Sequence, residues 1–340
     1  MDSNKKYNIG DVAKMLGVSR ATVSRALSGA PGVGDELRNK IISFADSIGY
    51  KPSTLARSLS RGRMDIIGLV FGDVRNPFYA DLTFYIQKEL ENYGYTVMLF
   101  NSEYDAEKEI DFLRTAGELC LAGLILFTAQ NDMKRDQLEK LNMPVVFVNR
   151  TLEWQDYDCV LMDNFKAGYI AAMHLIEEGH RRIGFVGGQA LSSASRQRFE
   201  GFKKALDNHS VPLYENDLFS GDLKMETGYE LADSFFKNPS RPTGLVIAND
   251  LMALGFIDGC FEHNINIPDE LSVVSFDNIS FSKMSKIGLT TVCQQVTKMG
   301  ETAARLMAER IENPDAECKK IILEPELIIR NTTKRYTPIN

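Results

Sequence analysis

The chain has 340 residues, 44% of them hydrophobic, enough for about two domains of ordinary size with substantial cores. Its apolar runs are strand-length, far short of the roughly 20 residues of a membrane span, and Met1-Asp2-Ser3-Asn4-Lys5-Lys6-Tyr7 lacks the apolar run expected of a secretory signal. The net charge of −7 is unevenly spread: through Arg63 the balance is +6, from eleven basic and five acidic residues, and the remainder carries −13, as expected of a polyanion-binding head on an acidic body.

In the head, Ile9, Val12, Ala13 and Leu16 share one helical face. This predicts a short helix with Asn8 as its N-cap, Asp11 in its first turn and Gly17 as its terminator. A second helix is expected to begin at Ser19 and run through Leu27 to the breaker cluster at 28–32, leaving only a Gly17-Val18 turn between the two. A third, over 35–48, carries Leu37, Ile41, Phe44 and Ile48 on one face and closes a three-helix core. The head is thus expected to span residues 1–51. Residues 52–63 read as a hinge and linker, because a helix-capable run this short does not persist alone in water.

From residue 64 to 333 short apolar runs alternate with amphipathic helices. Parallel strands are expected at 66–71, 96–100, 123–127, 144–148 and 159–162, then at 183–186, 218–219, 245–248 and 271–276. Helices are expected between them, for example at 79–93, 106–119, 166–178, 201–208, 227–237 and 252–262. Two successive open βαβ series predict two doubly wound α/β lobes, with a ligand cleft at the carboxyl ends of their strands.

A helix, a tight turn and a second helix opening Ser19-Arg20-Ala21-Thr22-Val23-Ser24-Arg25 form a helix-turn-helix, whose second helix lies in the DNA major groove. Arg20 and Arg25 suit bidentate contact with guanine and Ala21 a thymine methyl, whereas Asn8, Ser19, Thr22 and Ser24 suit contacts to the DNA backbone. Each Arg alone would read as a solvated surface residue. The +6 charge makes the DNA reading the better one.

The run Asp11-Val12-Ala13-Lys14-Met15-Leu16-Gly17-Val18-Ser19-Arg20-Ala21-Thr22-Val23-Ser24-Arg25-Ala26-Leu27, followed by Gly49-Tyr50-Lys51-Pro52 and Ala56-Arg57-Ser58-Leu59, closely resembles the lactose-repressor and galactose-repressor family. Later landmarks are Asn76-Pro77-Phe78-Tyr79, Gly179-His180-Arg181-Arg182-Ile183, Asn249-Asp250-Leu251-Met252-Ala253-Leu254-Gly255 and Ser275-Phe276-Asp277-Asn278. The resemblance implies a dimeric cytoplasmic repressor of near-palindromic operator DNA, with a core similar to periplasmic sugar-binding proteins and a sugar or sugar derivative as effector. It also implies that the segment after Pro52 is a hinge helix, with Ala56 and Arg57 at DNA and Leu59 wedged into the minor groove. Ser53 departs from the family's usual Asn, and Gly34 from its Ser or Thr cap on the third helix.

By the strand-end rule Asn149, Arg198, Asn249 and Asp277 belong at the cleft, and an Asp beside an Arg suits vicinal hydroxyls. The family carry-over falls on the same positions, with Asn149 in place of a frequent Asp, and adds Phe78 and Leu223 as pocket walls. Asn249 and Asp277 equally fit a helix cap or a turn, and Asp163-Asn164 reads as a cap. Five scattered cysteines without a CxxC argue for a reducing compartment and against a zinc site. Neither HExxH, GxSxG nor a phosphate-binding loop occurs, so no enzyme, metal or cofactor is expected. Rival functions are a transport binding protein, which needs an export signal, a sugar kinase with an added head, which needs a phosphate loop, and a regulator controlled by a co-repressor or a protein partner.

Overall fold

A computed structural model of the chain describes residues 7–50, 62–128, 135–150, 157–189 and 192–337. The expected hinge residues Ala56, Arg57 and Leu59 lie outside them. The chain divides into two compact units, Met1–Asp65 and Ile66–Asn340. Among the described residues no helix is long and apolar enough to cross a membrane.

The first unit holds α1 (Ile9–Leu16), α2 (Arg20–Ser28) and α3 (Asp35–Ser47). Asn8 and Asp11 form a reciprocal capping box at the start of α1, and Gly17, at φ 67°, turns the chain out of it. The Ser19 hydroxyl accepts the Thr22 N–H at 3.0 Å and caps α2. Val12, Ala13, Val23, Ala26 and Ile41 form the core, with Phe44 and Ile48 packed on it. The expected core position Leu37 is instead exposed, and Ala45 is buried in α3. Leu37 lies in the first turn of the helix. Gly34 caps α3 without a side-chain hydrogen bond, and the acidic Asp35 and Glu36 of the first turn complement the helix dipole.

The second unit contains two six-stranded sheets. The first is built from β1 (Ile66–Phe71), β2 (Thr96–Asn101), β3 (Gly123–Leu126), β4 (Val145–Val148), β5 (Asp158–Met162) and β11 (Lys320–Leu323), in the spatial order β11-β5-β4-β3-β1-β2. The second uses β6 (Ile183–Val186), β7 (Leu218–Phe219), β8 (Gly244–Ile247), β9 (Ser272–Asp277), β10 (Thr290–Cys293) and β12 (Glu326–Ile328), in the order β12-β10-β9-β8-β6-β7. All pairings are parallel except that of β10 with β12. The central strands are buried along their whole length because helices cover both faces.

The helices are α4 (Pro77–Glu91), α5 (Ala106–Glu118), α6 (Arg135–Glu139), α7 (Asn164–Glu177), α8 (Ser193–Asn208), α9 (Met225–Lys237), α10 (Asp250–Glu262) and α11 (Val296–Glu312). The lobes are not consecutive in sequence, as the two-series reading implied. After β10 the chain returns to the first lobe, where α11 packs on α4 and on β3, β4 and β5, and β11 joins β5. It then crosses again to add β12 to the second sheet. Three connections therefore run between the lobes, at residues 163, 294–295 and 324–325, and they lie side by side: the Asp163 N–H donates to the Leu323 carbonyl at 3.0 Å.

Helices α7 and α8 approach closely because glycines face each other's backbone. A Cβ at Gly168 would overlap the carbonyl oxygen of Arg198, and one at Gly201 that of Phe165. We expect Gly168→Ala to cost about 1–3 kcal/mol by overpacking, read as a lowered melting temperature, with a loss of ligand binding because Arg198 moves with α8.

Candidate functional site

Residues from both lobes line a narrow cleft that is partly open to solvent. Phe78, Asn149, Arg198, Leu223, Asn249 and Asp277 all line it. On the first-lobe side, Asn76 caps α4 by accepting the Phe78 N–H at 3.0 Å, and Pro77 starts the helix, which places Phe78 and Tyr79 in its first turn. Tyr79 stacks on Phe71 with ring centroids 5.8 Å apart. Asn149 follows β4 with φ 63°, and Arg150 comes next, its guanidinium 5.6 Å from the centre of the Tyr104 ring.

On the second-lobe side, Arg198 sits within α8, which starts eight residues earlier than the expected 201, so the residue projects from a helix and not from a loop. Its Nε donates to Asn164 Oδ1 at 2.9 Å and its Nη1 to the Ala248 carbonyl at 2.8 Å, and its guanidinium lies 4.5 Å from the centre of the Phe276 ring. Asn164 is therefore not a second cap beside Asp163: Asp163 caps α7 alone, and Asn164 is buried to hold Arg198. Asn249 is a helix cap that also faces the cleft. Its Oδ1 accepts the Met252 N–H at 3.0 Å and its Nδ2 donates to the Leu223 carbonyl at 3.0 Å.

Asp277 ends β9 with φ 113° and accepts a hydrogen bond from Gln294, which lies on the second inter-lobe connection. Behind it Asp250 is fully buried, accepting from Ser275, from the Thr291 hydroxyl at 2.6 Å and from the Ile279 N–H at 2.9 Å. Burial pushes Asp277 up to about 7 and Asp250 up to about 6, in Asp277 against the pull of Arg198 and with added repulsion from Asp250. Burial also lowers Arg198 from its ordinary value. Asp277 and Arg198 act on each other through space, without a direct ion pair.

Asn76, Tyr79, Arg150, Ser192, Ser195 and Gln294 also line the cavity, and the strand-end argument missed them. Arg150 adjoins a residue the rule did find, and Gln294 follows β10, a strand not read from the sequence. His180 and Arg182 are structural. His180 Nδ1 pairs with the Thr243 hydroxyl at 2.9 Å, and Arg182 forms a two-pronged ion pair with buried Asp217.

In the head, Arg20, Ala21 and Arg25 are exposed on α2, Thr22 and Ser24 are half-buried, and Asn8 and Ser19 are exposed but committed to capping. Their remaining capacity suits backbone phosphates, where a helix N-terminus already presents N–H groups.

The raised values carry a stability cost. For Asp277 and Asp250 the folded state favours the protonated form, so their contribution is whole below about pH 4 and is lost as pH rises through about 6 to 7. Buried His174 and His180, held below their ordinary value by burial, act in the opposite sense. Asp277→Asn should therefore raise the melting temperature of the ligand-free protein at pH 8 and change it little at pH 4, measured against wild type at each pH.

Comparison with known proteins agrees with this architecture. The family model of bacterial regulatory proteins of the lacI family matches residues 8–53, and that of the periplasmic binding protein-like domain matches residues 172–333. The HTH-type transcriptional repressor PurR of Mannheimia succiniciproducens is 33% identical across 96% of this chain and 98% of its own length. A LacI-family transcriptional regulator from Silicibacter pomeroyi is similar at a TM-score of 0.80 and 26% identity, covering 97% of this chain and all of that one. One from Enterococcus faecium, solved with bound ribose, matches at a TM-score of 0.71 and 27% identity over 80% of this chain and all of its own. These relatives are transcription regulators, not enzymes. The chain belongs to the lacI family of bacterial regulatory proteins: it is a DNA-binding transcriptional repressor with a ligand-binding domain.

Proposed function

We propose that the protein acts in the bacterial cytoplasm as a homodimer on a near-palindromic operator, and that a small polyhydroxylated ligand, a sugar or sugar derivative, sets its operator affinity. The observation that carries this reading is the single cavity lined by Phe78 and Asn149 from one lobe and by Arg198, Asn249 and Asp277 from the other. A ligand touching both walls favours a closed arrangement of the lobes, and through this closure would act on the hinge and linker expected at 52–63. Differential contact with two arrangements is the thermodynamic requirement for such control, usually a coupling of about 1–3 kcal/mol.

The bound ribose in the Enterococcus faecium regulator supports a sugar ligand. So does the presence of Leu223 in the lining, a branched side chain without a flat face on which a base could stack. Dimerisation is supported by large apolar side chains exposed on both lobes, among them Phe84, Leu99 and Phe261. Two-fold symmetry then matches two half-sites.

Arg20→Ala should relax base preference by roughly 1–3 kcal/mol at one position of each half-site, measured by binding to a library of operator variants. Loss of affinity that is equal for every sequence would contradict base reading by Arg20. A thermal-shift screen against neutral sugars, sugar acids, phosphosugars, nucleosides and purine bases, with operator binding read in parallel, should identify the effector. With that compound, Arg198→Ala and Asp277→Ala should abolish the operator response while ligand-free operator binding persists. An intact response in both variants would refute the cleft as the effector site.

A further inference from the structure

We propose that the ligand of this cleft is an anion, a sugar acid whose carboxylate is held by Arg150 while its hydroxyls face Asn149, Gln294 and Asp277. The proposal rests on the cleft being the effector site and narrows the chemistry of its occupant.

The argument is one of charge balance between the two walls. On the second-lobe wall Arg198 is fully provided for, with Asn164 Oδ1 and the Ala248 carbonyl as acceptors and the negative field of Asp277 and Asp250 around it. On the first-lobe wall Arg150 is only 4% exposed, and no ion pair or hydrogen bond joins it to another described residue. Its Nη1 is buried without an acceptor, its guanidinium faces the Tyr104 ring, and its charge also acts on Tyr79 and, repulsively, on Arg198. Asp73, at the end of β1, is already engaged by both prongs of Arg75. The adjoining residue is the neutral Asn149, so among the described residues no carboxylate of this wall pairs with Arg150.

A buried guanidinium left in this state is costly, and a ligand carboxylate matches its fork with two parallel N–H···O bonds. Two further atoms specify what accompanies the carboxylate. Asn149 Oδ1 and Gln294 Oε1 are both buried without donors, so each calls for a hydroxyl. Asp277 has one oxygen occupied by Gln294 and faces the cavity, and it too is served by a hydroxyl donor. The cavity thus presents the Arg150 N–H donors together with oxygen acceptors at Asn149, Gln294 and Asp277. A polyhydroxylated carboxylate meets both. A neutral sugar meets only the acceptors and leaves Arg150 uncompensated.

Calorimetry on the full chain with matched compounds tests this: D-glucose, D-gluconate, D-glucuronate and glucose 6-phosphate, then D-galactose with D-galacturonate, and D-ribose with D-ribonate. The expected result is one sugar acid bound at least tenfold more tightly than its neutral parent, with that preference removed by Arg150→Met. A neutral parent bound as tightly as its acid, or an acid affinity untouched by Arg150→Met, would overturn the anion assignment and leave the cleft reading standing. Binding of the phosphate ester alone would overturn the carboxylate. Binding of none of these compounds would count against the sugar reading itself. A ligand-free readout stands apart from the panel: Arg150→Met should raise the melting temperature, because it removes an unpaired buried charge, and a fall would show that Arg150 serves the fold and overturn the proposal.

Discussion

Burial of the Arg198 guanidinium organises the second lobe's side of the cleft. A charge removed from water must be surrounded by acceptors and opposing field, or the fold loses several kcal/mol. Here the side chain of Asn164 from α7 and the carbonyl of Ala248 beyond β8 supply the acceptors, Phe276 of β9 supplies the ring face, and two carboxylates supply the field. The close glycine contacts between α7 and α8 follow from the same need, since Arg198 reaches Asn164 only if the two helix backbones nearly touch. Asp250 is in turn kept in place by Ser275, Thr291 and the Ile279 N–H, so the polar cluster behind the cleft is satisfied among its own members.

The contrast with the first lobe's wall is informative. There the polar groups are buried but unsatisfied, at Arg150 and Asn149. Arg198 on one wall is provided for by the protein itself whereas Arg150 Nη1 and Asn149 Oδ1 on the other are not, which is how a site would favour closure only when the missing partner is present. Gln294 joins the two, because it lies on an inter-lobe connection and bonds to Asp277. A change at Asp277 therefore reaches an inter-lobe connection through a hydrogen bond.

How much of this was legible in the sequence depended on whether the signal was local. The head could be read because caps and spacing are short-range: Asn8, Asp11, Gly17 and Ser19 do in the structure what their positions announce. Leu37 was misread because helical periodicity says which face is apolar but not how far the neighbouring helices extend. In the body, buried strands such as β3 and β8 are continuous apolar runs and were found. By contrast β10, β11 and β12 and the helix α11 were not placed, and without them the lobes looked consecutive. Gln294 was lost with β10. Asn164 looked like a cap because its neighbour Asp163 is one, and only the tertiary contact with α8 shows its other role. Asn149, Asn249 and Asp277 line one cavity because strand carboxyl ends converge there in any pair of doubly wound lobes, whereas Phe78 and Leu223 were named from the family resemblance and Arg198 reaches the cavity from a helix.

The account stands on one claim, that a single small ligand is held between the two walls. A crystal structure of the full chain with the compound selected by calorimetry tests it most directly. The account predicts ligand density within hydrogen-bond distance of Arg150 or Asn149 on one side and of Arg198 or Asp277 on the other. Density touching only one lobe, or lying outside this cavity, would contradict it.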